Sequence, residues 1–296
     1  MKYCKSFLRN QEGNRPLSML ELFSPAKINL FFRVLGKRSD GYHEVASLMQ
    51  AISLGDKIAI RPSLVDQFSC SDPSIPCNAS NLVVQAVALF RKKTGARFPV
   101  QIHIEKKIPV EAGLGGGSSN AATVLWALNA CAAHPASVEQ LQHWVSEISS
   151  DAPFFFSLGT AYATGRNEHI APIDPLPAQQ LVIAKPSWGM STQQVYRHCL
   201  LTARSKRAPT DLLRAFIAGK FAAVNDLEQS AFVLRPELKK LKGQLVDLGF
   251  QSVLMTGSGS AFYCCGAVKN PDLPGVSFFP VSFVRRHRDQ WFSSES

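Results

Sequence analysis

Residues 109–130 read PVEAGLGGGSSNAATVLWALNA. Gly113, Gly115, Gly116 and Gly117 crowd the first half, while Ala121, Val124, Leu125 and Leu128 recur at helical spacing in the second. A glycine-rich loop therefore opens directly into a helix. Glycine lets backbone N–H groups approach an anion closely, and a helix N-terminus adds unpaired donors and the positive end of a dipole. Ser118 and Ser119 add hydroxyls suited to a phosphate oxygen or to the shell of a magnesium ion. Two common phosphate loops are excluded. The P-loop pattern fails because Ser118 stands five places after Gly113 and no lysine follows. The dinucleotide fingerprint fails because Ser118 occupies the place of its third glycine. Glycines lose much backbone freedom on folding, so four within five residues point to a phosphate loop of a third kind rather than to a tight turn alone.

Outward from this loop, residues 100–105 (VQIHIE) alternate as a strand, and 81–94 carry a helical stripe of Leu82, Ala86, Leu89 and Phe90 that stops at Gly95. Residues 57–61 read as a strand. Residues 23–34 alternate, with Ile28, Leu30, Phe32 and Val34 on one face and Lys27, Asn29 and Arg33 on the other. Downstream, 137–148 read as a helix with Ser137 and Gln140 at capping-box spacing. Residues 160–164 and 181–184 look like strands, and 211–218, 222–232 and 236–248 like helices, the last opened by Pro236 and closed by Gly249. Residues 250–255 and 261–265 form a strand–loop–strand around TGSGS. A strand-rich first half and a helix-rich second half predict an α+β protein with two lobes.

The chain has 296 residues, 46% hydrophobic and 18% charged, enough for one large or two ordinary domains with real cores. It holds no run of about 18 apolar residues that could span a membrane, and its basic N-terminus lacks the apolar core of a signal peptide. A cytoplasmic protein is expected. Its seven cysteines, Cys4, Cys70, Cys77, Cys131, Cys199, Cys264 and Cys265, include no CxxC pair, so buried reduced thiols are expected rather than a zinc site. Cys264 and Cys265, adjacent in a strand, would point to opposite faces. The net charge of +10 admits nucleic acid, membrane surfaces or anionic small molecules. The charge lies in short groups at 91–93, 204–207, 239–242 and 285–288, without the basic–aromatic stripes of a nucleic-acid binder.

Three segments together resemble the three motifs of the GHMP kinases: SPAKINLFFRVLGKRSDGYHEVASLMQAISLGDKI from Ser24, the glycine segment from Pro109, and MTGSGSAFY from Met255. They come in the right order and span almost the whole chain after residue 20. PAKINL followed by GKRSDGYHE is similar to the 4-diphosphocytidyl-2-C-methyl-D-erythritol kinases rather than to the mevalonate, homoserine or galactose kinases. SSDAPFFFSLGTAYATG, from Ser149, is similar to that family's aspartate-containing segment. The resemblance implies an α+β, two-lobed fold: a ribosomal S5 domain 2-like N-terminal lobe over 19–172 and an α/β C-terminal lobe over 173–296, after an extension over 1–18. It also implies ATP-dependent phosphorylation of the 2-hydroxyl of 4-diphosphocytidyl-2-C-methyl-D-erythritol, a step of non-mevalonate isoprenoid precursor synthesis.

By the same resemblance, Asp151 is the carboxylate that orients the acceptor hydroxyl and takes its proton, and Lys27 pairs with it and stabilises the transferring group. Pro109, Val110, Glu111, Ala112, Gly113, Leu114, Gly115, Gly116, Gly117, Ser118 and Ser119 form the ATP loop. Tyr42 and His43 lie near the cytosine, Tyr196, following Thr192, supplies a second stacking ring, and Asn29 also bonds the substrate. Thr256, Gly257, Ser258 and Gly259 support the phosphates. From the residues alone, Asp151 could be an N-cap before Pro153, Lys27 an exposed strand lysine, and TGSGS a plain hairpin. Magnesium is expected with ATP, although no dedicated carboxylate cage is apparent. There are two departures from the family pattern. A GxGE-like turn reads Gly165-Arg166-Asn167-Glu168, where asparagine tolerates left-handed geometry. The region after Cys265 is short and proline-rich where relatives carry a further helix. The rivals are a GHMP kinase for another alcohol, a relative that only binds nucleotide, and a basic nucleic-acid-binding protein.

Overall fold

The computed structural model describes residues 19–293; the extension expected over 1–18 lies outside them. β1 (Leu20–Lys37) and β2 (His43–Pro62) form a long antiparallel hairpin. The other edge of β2 pairs with β4 (Val100–Glu105) through residues 57–62 and with β5 (Thr160–Gly165) through residues 45–50. β3 (Gln67–Cys70) and β6 (His169–Pro172) flank β4 and β5. On this sheet lie α1 (Leu82–Thr94), α2 (Gly116–Cys131) and α3 (Val138–Val145), over a core that includes Ile58, Phe90, Ile102, Leu125, Phe154 and Phe155. The second sheet, ordered β10 (Val276–Ser282), β7 (Gln180–Pro186), β9 (Phe262–Cys265), β8 (Ser252–Met255), is antiparallel throughout. Ile28, Leu30 and Ile52 pack with Ile183, Leu254 and Tyr263, so β1 and β2 join both sheets, and the Tyr263 hydroxyl donates to Leu30 O at 2.7 Å.

Local signals behave as their chemistry requires. Asn81 caps α1 by accepting from Val83 N, and Gly95 (φ 73°) closes it beneath Arg91, Lys92 and Lys93. The Ser137–Gln140 capping box is complete in both directions. Cys264 and Cys265 enter different cores, and burial pushes both thiols up, Cys265 to about 11.

Two expectations are corrected. The register of β1 shifts between Asn29 and Phe31, which reverses the alternation. Ile28 and Leu30 therefore face the inter-sheet core, Phe32 and Val34 another core, and Arg33 pairs with Asp226 at 2.7 Å instead of joining Lys27 and Asn29. Residues 222–227 are not helical. Val224 and Asp226 bond the backbone of Phe32, and Asn225 donates to Met255 O and Gly257 O, so α6 (Glu228–Leu234) starts late. Buried Asn and Asp side chains satisfied this way outweigh a weak helical preference. α5 (Pro209–Ile217) and α7 (Pro236–Asp247) match the expected helices. The proline-rich stretch after Cys265 supplies β10 and then a tail that crosses to the first sheet. There Val284, Trp291 and Phe292 enter the core, and Trp291 Nε1 donates to Thr123 Oγ1 at 3.2 Å. Arg286 donates to the carbonyls of Ser157 and Phe156 and stacks on Trp291. Burial lowers its pKa to about 10.

Candidate active site

Lys27 is only 3% exposed, and a lysine that deep needs partners. Its Nζ donates to Asn29 Oδ1 at 2.7 Å and lies 3.3 Å from Asp151 Oδ2. Asp151 precedes a 3-10 turn, Ala152–Phe156, anchored by the buried rings of Phe154 and Phe155. Its side chain caps nothing. One oxygen faces Lys27, and the other accepts from Asn167 Nδ2 at 3.1 Å. The structure thus decides against both local alternatives, the N-cap and the exposed lysine.

The glycine loop closes over the same pair. Lys27 N donates to Leu114 O at 2.9 Å. Gly115 (φ 69°) leaves room for the lysine, since a Cβ there would stand 2.9 Å from Lys27 Cγ. Gly113 (φ 75°) lies against the second glycine turn, where a Cβ would come within 2.2 Å of Thr256 O. Both positions demand glycine for conformation and for space. α2 then begins at Gly116 with no capping side chain and no acid in its first turn, so its leading N–H groups and dipole suit an anion. A cation stands beside them: a Cβ on Gly116 would meet Lys106 Nζ at 2.9 Å. Lys106 pairs with the fully buried Asp56 at 2.6 Å, whose other oxygen accepts from the backbone of Lys107 and Ile108. The sequence reading missed Lys106, although its place just ahead of the loop was a usable signal.

These groups border a cleft of about 1180 Å3. Pro109, Val110, Glu111, Ala112, Gly113, Leu114, Gly115, Gly116, Gly117 and Ser118 line it, with Lys27, Tyr42, His43, Asp151, Thr192, Tyr196, Gly257 and Ser258. Four expected residues stand behind it. Ser119, one helical step past Ser118, is fully buried with its hydroxyl 2.8 Å from that of Ser24. Ser118, 2.8 Å from the Ser149 hydroxyl, presents the useful oxygen. Asn29 is fully buried between Lys27 and Ser47, accepting from the lysine and donating to the serine hydroxyl. Thr256 and Gly259 close the second turn through a bond from Gly259 N to Thr256 O.

One arm of the cleft is aromatic. His43 packs on Tyr196, centroids 5.4 Å apart, while Tyr42 is 55% exposed beneath the Arg166 guanidinium at 4.7 Å. The expected rings share the cleft, but the partner of Tyr196 is His43. Burial, and then the charge of Lys37, lower the His43 pKa and favour the neutral imidazole. Burial, followed by nearby Asp151, pushes the Tyr196 phenol well up. Thr192 Oγ1 meets Ser258 Oγ at 2.9 Å, tying this arm to the second glycine turn. The other arm, past the glycine loop, is walled by Ile75, Pro76, Asn81 and Leu82. Among the described residues, no group of three or more His, Cys, Asp or Glu could hold a metal ion unaided, and no helix is long and apolar enough to cross a membrane.

A lysine–aspartate pair facing an anion-binding helix end suits phosphoryl transfer to an alcohol, and the scaffold that carries it is a known one. Residues 81–159 match the model of the GHMP kinases N terminal domain. The chain is 46% identical over 276 residues to the 4-diphosphocytidyl-2-C-methyl-D-erythritol kinase of Protochlamydia amoebophila (strain UWE25), covering 93% of each. It is 42% identical to the chloroplastic 4-diphosphocytidyl-2-C-methyl-D-erythritol kinase of Oryza sativa subsp. japonica, over 95% of this chain and 75% of that one. A crystal structure of 4-(cytidine 5'-diphospho)-2C-methyl-D-erythritol kinase matches with a TM-score of 0.74 at 34% identity, covering 90% of this chain and 99% of that one. The fold is thus that of a GHMP kinase. Within that class, the chain belongs to the 4-diphosphocytidyl-2-C-methyl-D-erythritol kinase family.

Proposed function

We propose that this chain transfers the γ-phosphoryl group of ATP to the 2-hydroxyl of 4-diphosphocytidyl-2-C-methyl-D-erythritol, in non-mevalonate isoprenoid precursor synthesis. The observation that carries the chemistry is the Lys27–Asp151 contact of 3.3 Å at the mouth of the glycine loop. Asp151 accepts the proton of the attacking hydroxyl, and Lys27 holds the carboxylate in place and offsets charge on the moving phosphoryl group. The donors of residues 113–118 and the ammonium of Lys106 take the ATP phosphates. The apolar arm at Ile75, Pro76 and Leu82 takes adenine. Tyr42, His43 and Tyr196 take the cytosine, with neutral His43 offering both a donor and an acceptor nitrogen. Ser118 suits a magnesium ion carried on the phosphates, because such an ion keeps several waters and needs only one or two protein oxygens. It would supply charge neutralisation during transfer.

The test is ADP release with ATP, Mg2+ and the cytidylyl substrate, beside Asp151→Asn and Lys27→Ala, with mevalonate, homoserine and galactose as comparison alcohols. Turnover with the cytidylyl substrate alone, lost in both folded variants, is the expected result. Turnover with another alcohol replaces the substrate but keeps the chemistry, and ATP binding without turnover favours a nucleotide-binding relative. A cytoplasmic setting is part of this reading, and cell fractionation checks it.

A further inference from the structure

We propose that Asn167 is a positioning residue of the transfer step: its amide nitrogen holds the Asp151 carboxylate in the orientation that meets the acceptor hydroxyl. The inference rests on the phosphoryl transfer proposed above.

Three observations meet at this side chain. First, its Nδ2 donates to Asp151 Oδ1 at 3.1 Å, while Lys27 holds Oδ2. The carboxylate is thus gripped at both oxygens and cannot rotate away from the hydroxyl it must meet. An amide beside a carboxylate has to present nitrogen, so its oxygen points elsewhere. Second, that oxygen has no hydrogen-bond partner among the described residues, although Asn167 is only 5% exposed. Buried polar atoms are rarely left so, and Asn167 borders the cleft. The amide thus leaves a buried oxygen unpaired while its nitrogen stays on Asp151. Third, Asn167 sits at φ 82°, in the left-handed region, two residues after Gly165 at φ 72°. Glycine would meet that backbone with less strain. The turn closes without the side chain, through Asn167 N to Thr164 O at 3.1 Å and Glu168 to Arg166 N. The amide is therefore not required for the turn, and the contacts it makes are those of the site.

Asn167→Gly is the natural test, because it suits the backbone and removes only the amide. The expected result is kcat/KM for the acceptor reduced about 10- to 100-fold, the loss of one hydrogen bond to a charged reacting group, with KM for ATP and thermal stability unchanged. Asn167→Asp keeps the shape but places a second carboxyl against Asp151. Its activity relative to wild type should rise toward acid pH, where the introduced carboxyl is protonated and donates again. A glycine variant with wild-type kinetics overturns the proposal, as does one whose loss follows lowered stability or a raised KM for ATP. If wild type phosphorylates only a comparison alcohol, the substrate assignment fails and the same ratios, measured with that alcohol, decide the role of Asn167. If wild type phosphorylates none, both readings fall.

Discussion

The two arms of the cleft are built by opposite means. The phosphate arm is built from main chain: residues 113–118 offer N–H groups and a helix end, and the glycines there exclude side chains. The aromatic arm is built from side chains: His43 against Tyr196, and Tyr42 beneath Arg166, with Tyr42 more than half exposed. Main-chain donors on packed elements are preorganised and suit a ligand common to many enzymes. His43 stands at the start of β2, and Tyr196 on the short helix α4 (Thr192–Arg197), packed against the core of the second sheet. The chemistry proposed above lies where the arms meet, at Lys27 and Asp151.

Substitutions should separate the arms. At their junction, Asp151→Asn should lower kcat about 1000-fold, the range of a general base, while ATP binding by calorimetry persists. In the phosphate arm, Gly113→Ala would force a Cβ against Thr256 O at a positive φ. Strain of about 1–3 kcal/mol should appear as roughly a 10- to 100-fold rise in KM for ATP, and an unchanged KM would break the comparison. In the aromatic arm, Tyr196→Ala should raise KM for the cytidylyl substrate about tenfold, as expected for one lost aromatic pair, with KM for ATP unmoved. The smallest effect concerns pH. The folded His43 pKa lies below its ordinary 6.5, so above 6.5 the ring is neutral in the folded and unfolded chain alike. As pH falls through 6.5 the unfolded chain protonates first, and the stability tied to neutral His43 is lost down through the folded value. A few-fold rise in KM for the cytidylyl substrate should follow in the same window and vanish in His43→Gln.

Most of the framework was legible because local chemistry and tertiary structure agree in it. The glycine loop, the capped helices α1 and α3, and the strand–turn–strand at TGSGS each carry their own signals. What escaped depends on contacts distant in sequence. A register shift near Leu30 moves Arg33 to Asp226, and period-two reading cannot see it. Residues 222–227 are held extended by Phe32, some 190 positions earlier. At the site, Lys27 and Asp151 came from the family resemblance, not from their local pattern, which allowed ordinary roles. That Ser119 and Asn29 lie a layer behind the cleft was not legible, because sequence shows that a polar side chain is present and not how deep it lies. Asn167 was read only as a turn residue, since its partner Asp151 lies sixteen residues away in another element.

The tail over 284–292 also shapes how the protein is born. Translation delivers the first sheet and its three helices well before Trp291 and Phe292, which belong to that sheet's core. At about 5–20 residues per second, the first lobe waits on the order of ten seconds, open on one side, while the second is synthesised. Order of synthesis and order of completion are therefore reversed: the lobe made first is finished last, sealed by a strap that arrives through the other lobe.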